Sequence, residues 1–230
     1  FEAEILHQGY LIRTDILIKH QDHLKLIEIK AKSIGNGKKI INSDGSIKSE
    51  WKAYIADVAF QKWVLQRAYP NYHISSSLML LDKDLIELNV KLEDKDELLR
   101  YMGEKLLIKN IVKGTYPEAV VMREKEFPTG ISSKNIGIAI PHTVAEHVNE
   151  PKVAISILKK PIEFQMMGEP NVKVQVSLVI MIAINNPDLQ IDFLQKLVSI
   201  IEDHDLLLQI KNAESIDEVY ELLSFLNKIK

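Results

Sequence analysis

The chain has 230 residues, 46% of them hydrophobic, which allows one large domain or two small ones with a sizeable core. A net charge of −3 is too small to imply electrostatic capture of nucleic acid or of an acidic membrane. The absence of cysteine excludes disulfides and thiolate metal sites and fits a reducing compartment, expected to be the cytoplasm. The longest apolar run, residues 176–184, is well short of a membrane span, so no membrane insertion is expected. Phe1-Glu2-Ala3-Glu4 has neither the basic start nor the apolar core of a signal peptide.

Residues 10–19 and 23–30 are two alternating runs separated by Gln21-Asp22, a hairpin signal. With those two as the loop, Asp15 faces Glu28, Leu17 faces Leu26 and Arg13 faces Lys30. Lys30 falls on the same face as Glu28. Residues 33–49 form a polar loop with three glycines. A helix is predicted over 50–68, with Trp51, Tyr54, Ile55, Val58, Phe60, Trp63, Val64 and Leu65 on a broad apolar face and Gln61 among them. Residues 74–81 read as a further strand.

Asp15, followed by Glu28-Ile29-Lys30, resembles the core of the PD-(D/E)xK nucleases, in their RecB-like branch. The resemblance covers residues 1–83. It implies that Asp15 and Glu28 hold a divalent metal, Mg2+ or Mn2+, and that Lys30 positions or activates water. It also implies that Gln61 lies near the metal and that DNA is the partner. Leu65 departs from the pattern, standing where many relatives carry tyrosine. Alternating charge on a half-exposed hairpin needs no metal, so a purely structural reading stands beside this one.

The texture changes near Asp82-Lys83-Asp84. A helix is predicted over 94–113, opened by an Asp94/Glu97 capping box, striped with Leu98, Leu99, Met102, Leu106, Leu107 and Ile111, and stopped by Gly114. Thr115 is expected to cap the next helix, with Pro117 near its start, Ala119, Val120 and Met122 facing inward, and Arg123 near its end. Residues 136–143, Ile-Gly-Ile-Ala-Ile-Pro-His-Thr, read as a short strand with a bulky and a nearly bare face. Pro141 ends the ladder and presents His142 at the rim. A rim imidazole is nucleophilic when neutral and has a pKa near working pH, which suits a phosphoryl carrier. Residues 153–158 and 172–184 are further strands, with a turn region over 164–170. Helices are predicted over 189–202, 203–210 and after the Ser215/Glu218 capping box.

Residues 121–131, Val-Met-Arg-Glu-Lys-Glu-Phe-Pro-Thr-Gly-Ile, followed by Gly-Ile-Ala-Ile-Pro-His-Thr, resemble the enzyme IIA domain of the sugar phosphotransferase system, fructose/mannitol superfamily. Pro161-Ile162-Glu163-Phe164 and Met167-Gly168 fit its galactitol branch. The resemblance covers residues 84–230. It implies an α/β fold, a mixed β-sheet flanked by helices, preceded here by the small α/β nuclease-like fragment. It implies a phosphotransferase component without a cofactor, which takes phosphate from phospho-HPr on His142 and passes it to an enzyme IIB. Arg123 matches the arginine beside the phosphohistidine. Gln190 falls where the mannitol group has a second histidine; Gln190, His147 and Thr143 are candidate helpers, with an exposed histidine of no site role as the favoured alternative for His147. His204, among acidic neighbours, reads as surface. Met166, Met167 and Phe164 are candidates for a partner-docking patch, with core packing an equal alternative. Two alternatives stay open: a metal-dependent DNA nuclease through the first segment, and a regulatory module that senses phosphorylation.

Overall fold

The structure is a computed structural model and describes residues 3–30, 40–80, 82–134, 136–185 and 201–224. The chain packs as two compact units that divide between Leu81 and Asp82.

In the first unit, β1 (Ala3–His7) and β2 (Tyr10–Thr14) form an antiparallel hairpin. Its turn, Gln8-Gly9, takes φ of 47° and 83°, a left-handed pair whose second position glycine adopts without cost. A three-stranded sheet follows, in the order β3-β4-β5, from β3 (Ile16–His20), β4 (His23–Lys30) and β5 (His73–Leu80). Helix α1 (Ser49–Ala68) connects β4 to β5, which run parallel. Gln21-Asp22 is the β3–β4 turn, and Leu17 faces Leu26 as the spacing predicts.

The single run predicted over residues 10–19 is in fact two strands, broken at Asp15. Arg13 therefore faces Glu4 across β1–β2, not Lys30, and donates from Nε to Glu4 at 2.6 Å. The sheets cover only one stripe of α1, carrying Trp51, Val58, Gln61, Val64 and Leu65. Phe60 and Trp63, predicted to face inward, are exposed instead. The Tyr10 ring meets both edge-on, and the Arg67 guanidinium lies 3.7 Å above Trp63.

The second unit is a mixed α/β layer structure. Its strands are β6 (Ile86–Val90), β7 (Gly130–Ser133), β8 (Ile136–Ala139), β9 (Lys152–Met166) and β10 (Glu169–Ala183). Their order is β10-β8-β7-β9-β6, and β9 also pairs antiparallel with β10. Helices α2 (Lys95–Ile108), α3 (Tyr116–Glu126), α4 (His204–Asn212) and α5 (Ile216–Ser224) complete the described part. Leu98, Leu99, Met102 and Leu106 from α2 pack with Val120 and Val121 from α3 and Phe164 from β9 in one core.

Local chemistry explains the departures from expectation. Asp94 caps α2 as predicted, accepting the Glu97 N–H at 2.8 Å. The helix stops at Ile108, five residues short of the predicted end, because Asn110 takes a left-handed φ of 58° before Gly114 is reached. The β9–β10 turn is only Met167-Gly168, with Gly168 at φ 79°, so Phe164 lies in a strand and is fully buried. It is core and not a docking residue. His204 opens α4 half-buried, within 2.5 Å of the Ser133 hydroxyl, so it is not a free surface residue. Most of the helix predicted over 189–202, Gln190 included, lies outside the described residues.

Candidate functional site

The site starts at β8. All four of its residues are buried, so the expected bare face is covered as well. Parallel β10 lies on one side and antiparallel β7 on the other. A Cβ on Gly137 would stand 2.1 Å from the Gln175 carbonyl oxygen, so β10 approaches as closely as only glycine permits. Beyond β8, the Ile182 N–H of β10 donates to the Pro141 carbonyl at 2.9 Å, and His142 bridges to Ile182. The buried Tyr116 hydroxyl donates to the Ile182 carbonyl at 2.9 Å, tying the start of α3 to the same strand. Burial pushes that phenol far above its ordinary pKa, so it stays a neutral donor.

The ring of His142 is held by its own backbone. Nδ1 lies 2.8 Å from the Ile140 carbonyl oxygen, which can only accept, so Nδ1 carries the proton. In the neutral ring Nε2 then holds the bare lone pair. Burial lowers the His142 pKa, the Ile140 hydrogen bond works against it, and the Arg123 charge adds to the lowering. The ring is therefore kept neutral and nucleophilic further into acid than a free histidine.

Arg123 sits in the last turn of α3, near enough to depress the His142 pKa. Its guanidinium lies 3.8 Å above the Phe127 ring. Among the described residues no carboxylate lies within ion-pair distance of it. An open groove of about 530 Å3 is lined by Ala119, Met122, Arg123, Lys125, Glu126, Thr143 and His147. The structure thus brings Arg123, Thr143 and His147 to one groove.

His147 lies partly buried on the groove wall. It closes a short 3-10 turn, Ala145–His147, and its Nδ1 lies 2.8 Å from the Thr115 hydroxyl. Thr115 makes no side-chain bond to its own helix, so the expected cap is replaced by this link to the groove wall. Met122, expected inward, is 64% exposed on the groove side. Val121 and Glu124 turn inward instead.

Glu124 was invisible as a site element in the sequence. Its carboxylate, almost wholly buried, accepts the Thr129 N–H at 3.0 Å and the Thr129 hydroxyl at 2.7 Å, closing the loop that carries Phe127. Burial raises its pKa, and the Thr129 bonds offset part of the rise. An acidic residue beside Arg123 in Met122-Arg123-Glu124 would ordinarily read as solvent-facing, so only the buried Thr129 partner discloses it.

In the first unit, Glu28 is buried in β4 and Gln61 is buried on α1, while Asp15 lies at the break before β3. Lys30 closes β4 opposite Leu80, and its side chain is outside the described part. Gln61 Nε2 donates to Asp57 at 3.3 Å, and among the described residues its buried Oε1 has no hydrogen-bond partner. Among the described residues no three His, Cys, Asp or Glu side chains are grouped to hold a metal ion. Likewise, none of the described helices is long and apolar enough to cross a membrane.

Residues 79–225 match the profile of the family described as phosphoenolpyruvate-dependent sugar phosphotransferase system, EIIA 2. The galactitol-specific EIIA component of Escherichia coli K12 is 35% identical over 113 residues, which span 49% of this chain and 75% of that protein. The transcriptional regulator ManR of Bacillus subtilis is 36% identical over 104 residues, 45% of this chain and 14% of that protein. Among solved structures, the complex of enzyme IIA and phosphorylated enzyme IIB for mannitol from E. coli aligns at a TM-score of 0.53. Identity is 28%, and the alignment covers 63% of this chain and 96% of that one. The crystal structure of IIA mannitol from E. coli aligns equally well, at 29% identity over 62% of this chain and 98% of that one.

Proposed function

The chain belongs to the EIIA 2 family of the phosphoenolpyruvate-dependent sugar phosphotransferase system, and we propose that His142 is its phosphoryl acceptor and Arg123 the group that neutralises the transferred charge. It is a phosphoryl carrier toward an enzyme IIB. The identity to the galactitol component supports the galactitol branch. The donor in this reading is phospho-HPr.

The observation that carries the site assignment is the ring geometry: Nδ1–H is committed to Ile140, which leaves Nε2 as the only basic nitrogen. The Nε2 lone pair attacks phosphorus while the bond from phosphorus to the donor nitrogen breaks, and the donor ring leaves with the electron pair. Positive charge develops on the His142 ring, and the Ile140 carbonyl stabilises it through Nδ1–H. The planar guanidinium of Arg123 can take two phosphoryl oxygens at once. Thr143 and His147, on the same groove, supply further hydrogen-bonding groups. Onward transfer reverses these steps toward the nucleophile of enzyme IIB. Met122, Phe127 and Val144, all exposed near the site, offer an adaptable apolar docking surface in place of the buried Phe164.

The test is labelling from phosphoenolpyruvate with enzyme I and HPr. Acid-labile label on the wild-type chain that disappears in His142→Ala supports the assignment. Label that persists in His142→Ala rejects it.

A second reading concerns the first unit. The buried Gln61 Oε1, without a hydrogen-bond partner among the described residues, favours the cation that the nuclease resemblance would place on Asp15 and Glu28. Bound Mg2+ or Mn2+ would activate water for DNA cleavage, and Lys30 would position that water. Metal-dependent cleavage abolished by Glu28→Ala supports this reading, and cleavage that survives the substitution dismisses it.

A further inference from the structure

Resting on the assignment of Arg123 to the phosphoryl group, we propose that Phe127 is its positioning residue: the aromatic ring is a fixed platform that holds the guanidinium flat at the groove edge. Several observations converge on this. The guanidinium carbon lies 3.8 Å from the Phe127 ring centroid, close enough for face-to-face stacking. No described carboxylate pairs with Arg123, so the ring is the contact that replaces an ion pair. A carboxylate partner would occupy the same in-plane N–H groups that an incoming phosphoryl needs. An aromatic face restrains the guanidinium from above and leaves that edge open.

The platform is itself anchored. The Phe127 N–H donates to the Arg123 carbonyl at 2.8 Å, continuing the last turn of α3. Pro128 follows, and Thr129 is clamped through both its N–H and its hydroxyl to the buried Glu124 carboxylate. Phe127 is thus the exposed apex of a short loop whose two ends are fixed. Phe127 is 49% exposed, so its side chain is not consumed by the core and is available to the neighbouring guanidinium. The sequence pattern Arg-Glu-Lys-Glu-Phe-Pro-Thr acquires a division of labour: Arg123 binds, Phe127 supports, and Glu124 with Thr129 holds the support in place.

Phe127 could instead serve only as a docking contact, and the experiment separates the two roles. The His142 ring is titrated by NMR in wild type, Phe127→Leu and Phe127→Trp. Phosphoryl acceptance from phospho-HPr is measured in parallel as rate against donor concentration. Leucine keeps an apolar surface but removes the π face, while tryptophan keeps that face. In Phe127→Leu the guanidinium is freed, the His142 pKa rises toward its ordinary value, and the saturating rate falls about tenfold, the scale of one cation–π contact. Phe127→Trp restores both. An unchanged His142 titration in Phe127→Leu, or a loss confined to donor affinity, overturns the proposal. The titration needs no phosphorylation, so failure of wild type to accept phosphate would count against the carrier site and leave the platform separately judged.

Discussion

The two units treat a buried polar side chain in opposite ways. In the second, three polar groups near the site have defined partners. His142 Nδ1 is committed to Ile140, Glu124 takes both Thr129 donors, and the Tyr116 hydroxyl reaches the Ile182 carbonyl, so the one basic atom left over is Nε2. In the first, Glu28 and Gln61 are equally buried, yet among the described residues the Gln61 carbonyl oxygen has no hydrogen-bond partner. A satisfied network leaves its single open valence as a reactive site. A buried oxygen without a hydrogen bond is an energetic cost.

The comparison can be broken most forcefully at the acceptor. His142→Gln should abolish phosphoryl acceptance altogether, since an amide can hydrogen-bond phosphate but cannot attack it. Next comes the charge beside it. Arg123→Gln should slow acceptance on the order of 10²-fold, the usual cost of removing one preorganised stabilising group. The same substitution should move the acid limb of the rate profile. The folded His142 pKa lies below 6.5, so acceptance persists in wild type as pH falls below that value; removing the guanidinium lifts the pKa and brings the loss in at higher pH.

Stability gives a linked measurement. The unfolded chain takes up the His142 proton at about 6.5 while the folded ring resists it. Stability is therefore lost as pH falls through 6.5 toward the folded pKa, and His142→Gln should flatten that slope in denaturant titrations. A smaller effect is expected at the scaffold. Gly137→Ala must push the Gln175 backbone away and should cost about 1–3 kcal/mol, with a slower transfer rate because the strand that aims His142 has moved. Glu124→Ala should cost a similar amount or less, about 1–3 kcal/mol, by stranding the buried Thr129 N–H.

Much of this architecture was legible before any coordinates. The Ile-Gly-Ile-Ala-Ile-Pro-His stretch announced a strand, because residue alternation is a local property, but pairing with β10 does not end at the proline: the Pro141 carbonyl and His142 still meet Ile182. The β3–β4 register followed from its two-residue loop for the same reason. What local pattern could not reveal was set by partners distant in sequence. Thr115 looks like a helix cap until His147, 32 residues away, takes its hydroxyl. Phe60 and Trp63 look like core until the sheets prove too narrow to cover them. Phe164, within the turn region expected over 164–170, lies in β9 because the two-residue turn starts only at Met167. Arg123 and His142 were paired through the resemblance, and their electrostatic coupling is visible only in three dimensions.

The central claim is most directly met by identifying the nitrogen that carries phosphate. The chain is labelled with 15N at histidine, phosphorylated by phospho-HPr and read by nitrogen–phosphorus correlation NMR. Phosphate on Nε2 of His142, with Nδ1 still protonated, is the predicted result. Phosphate on Nδ1, on another residue, or on none while a control enzyme IIA becomes labelled, would contradict the account.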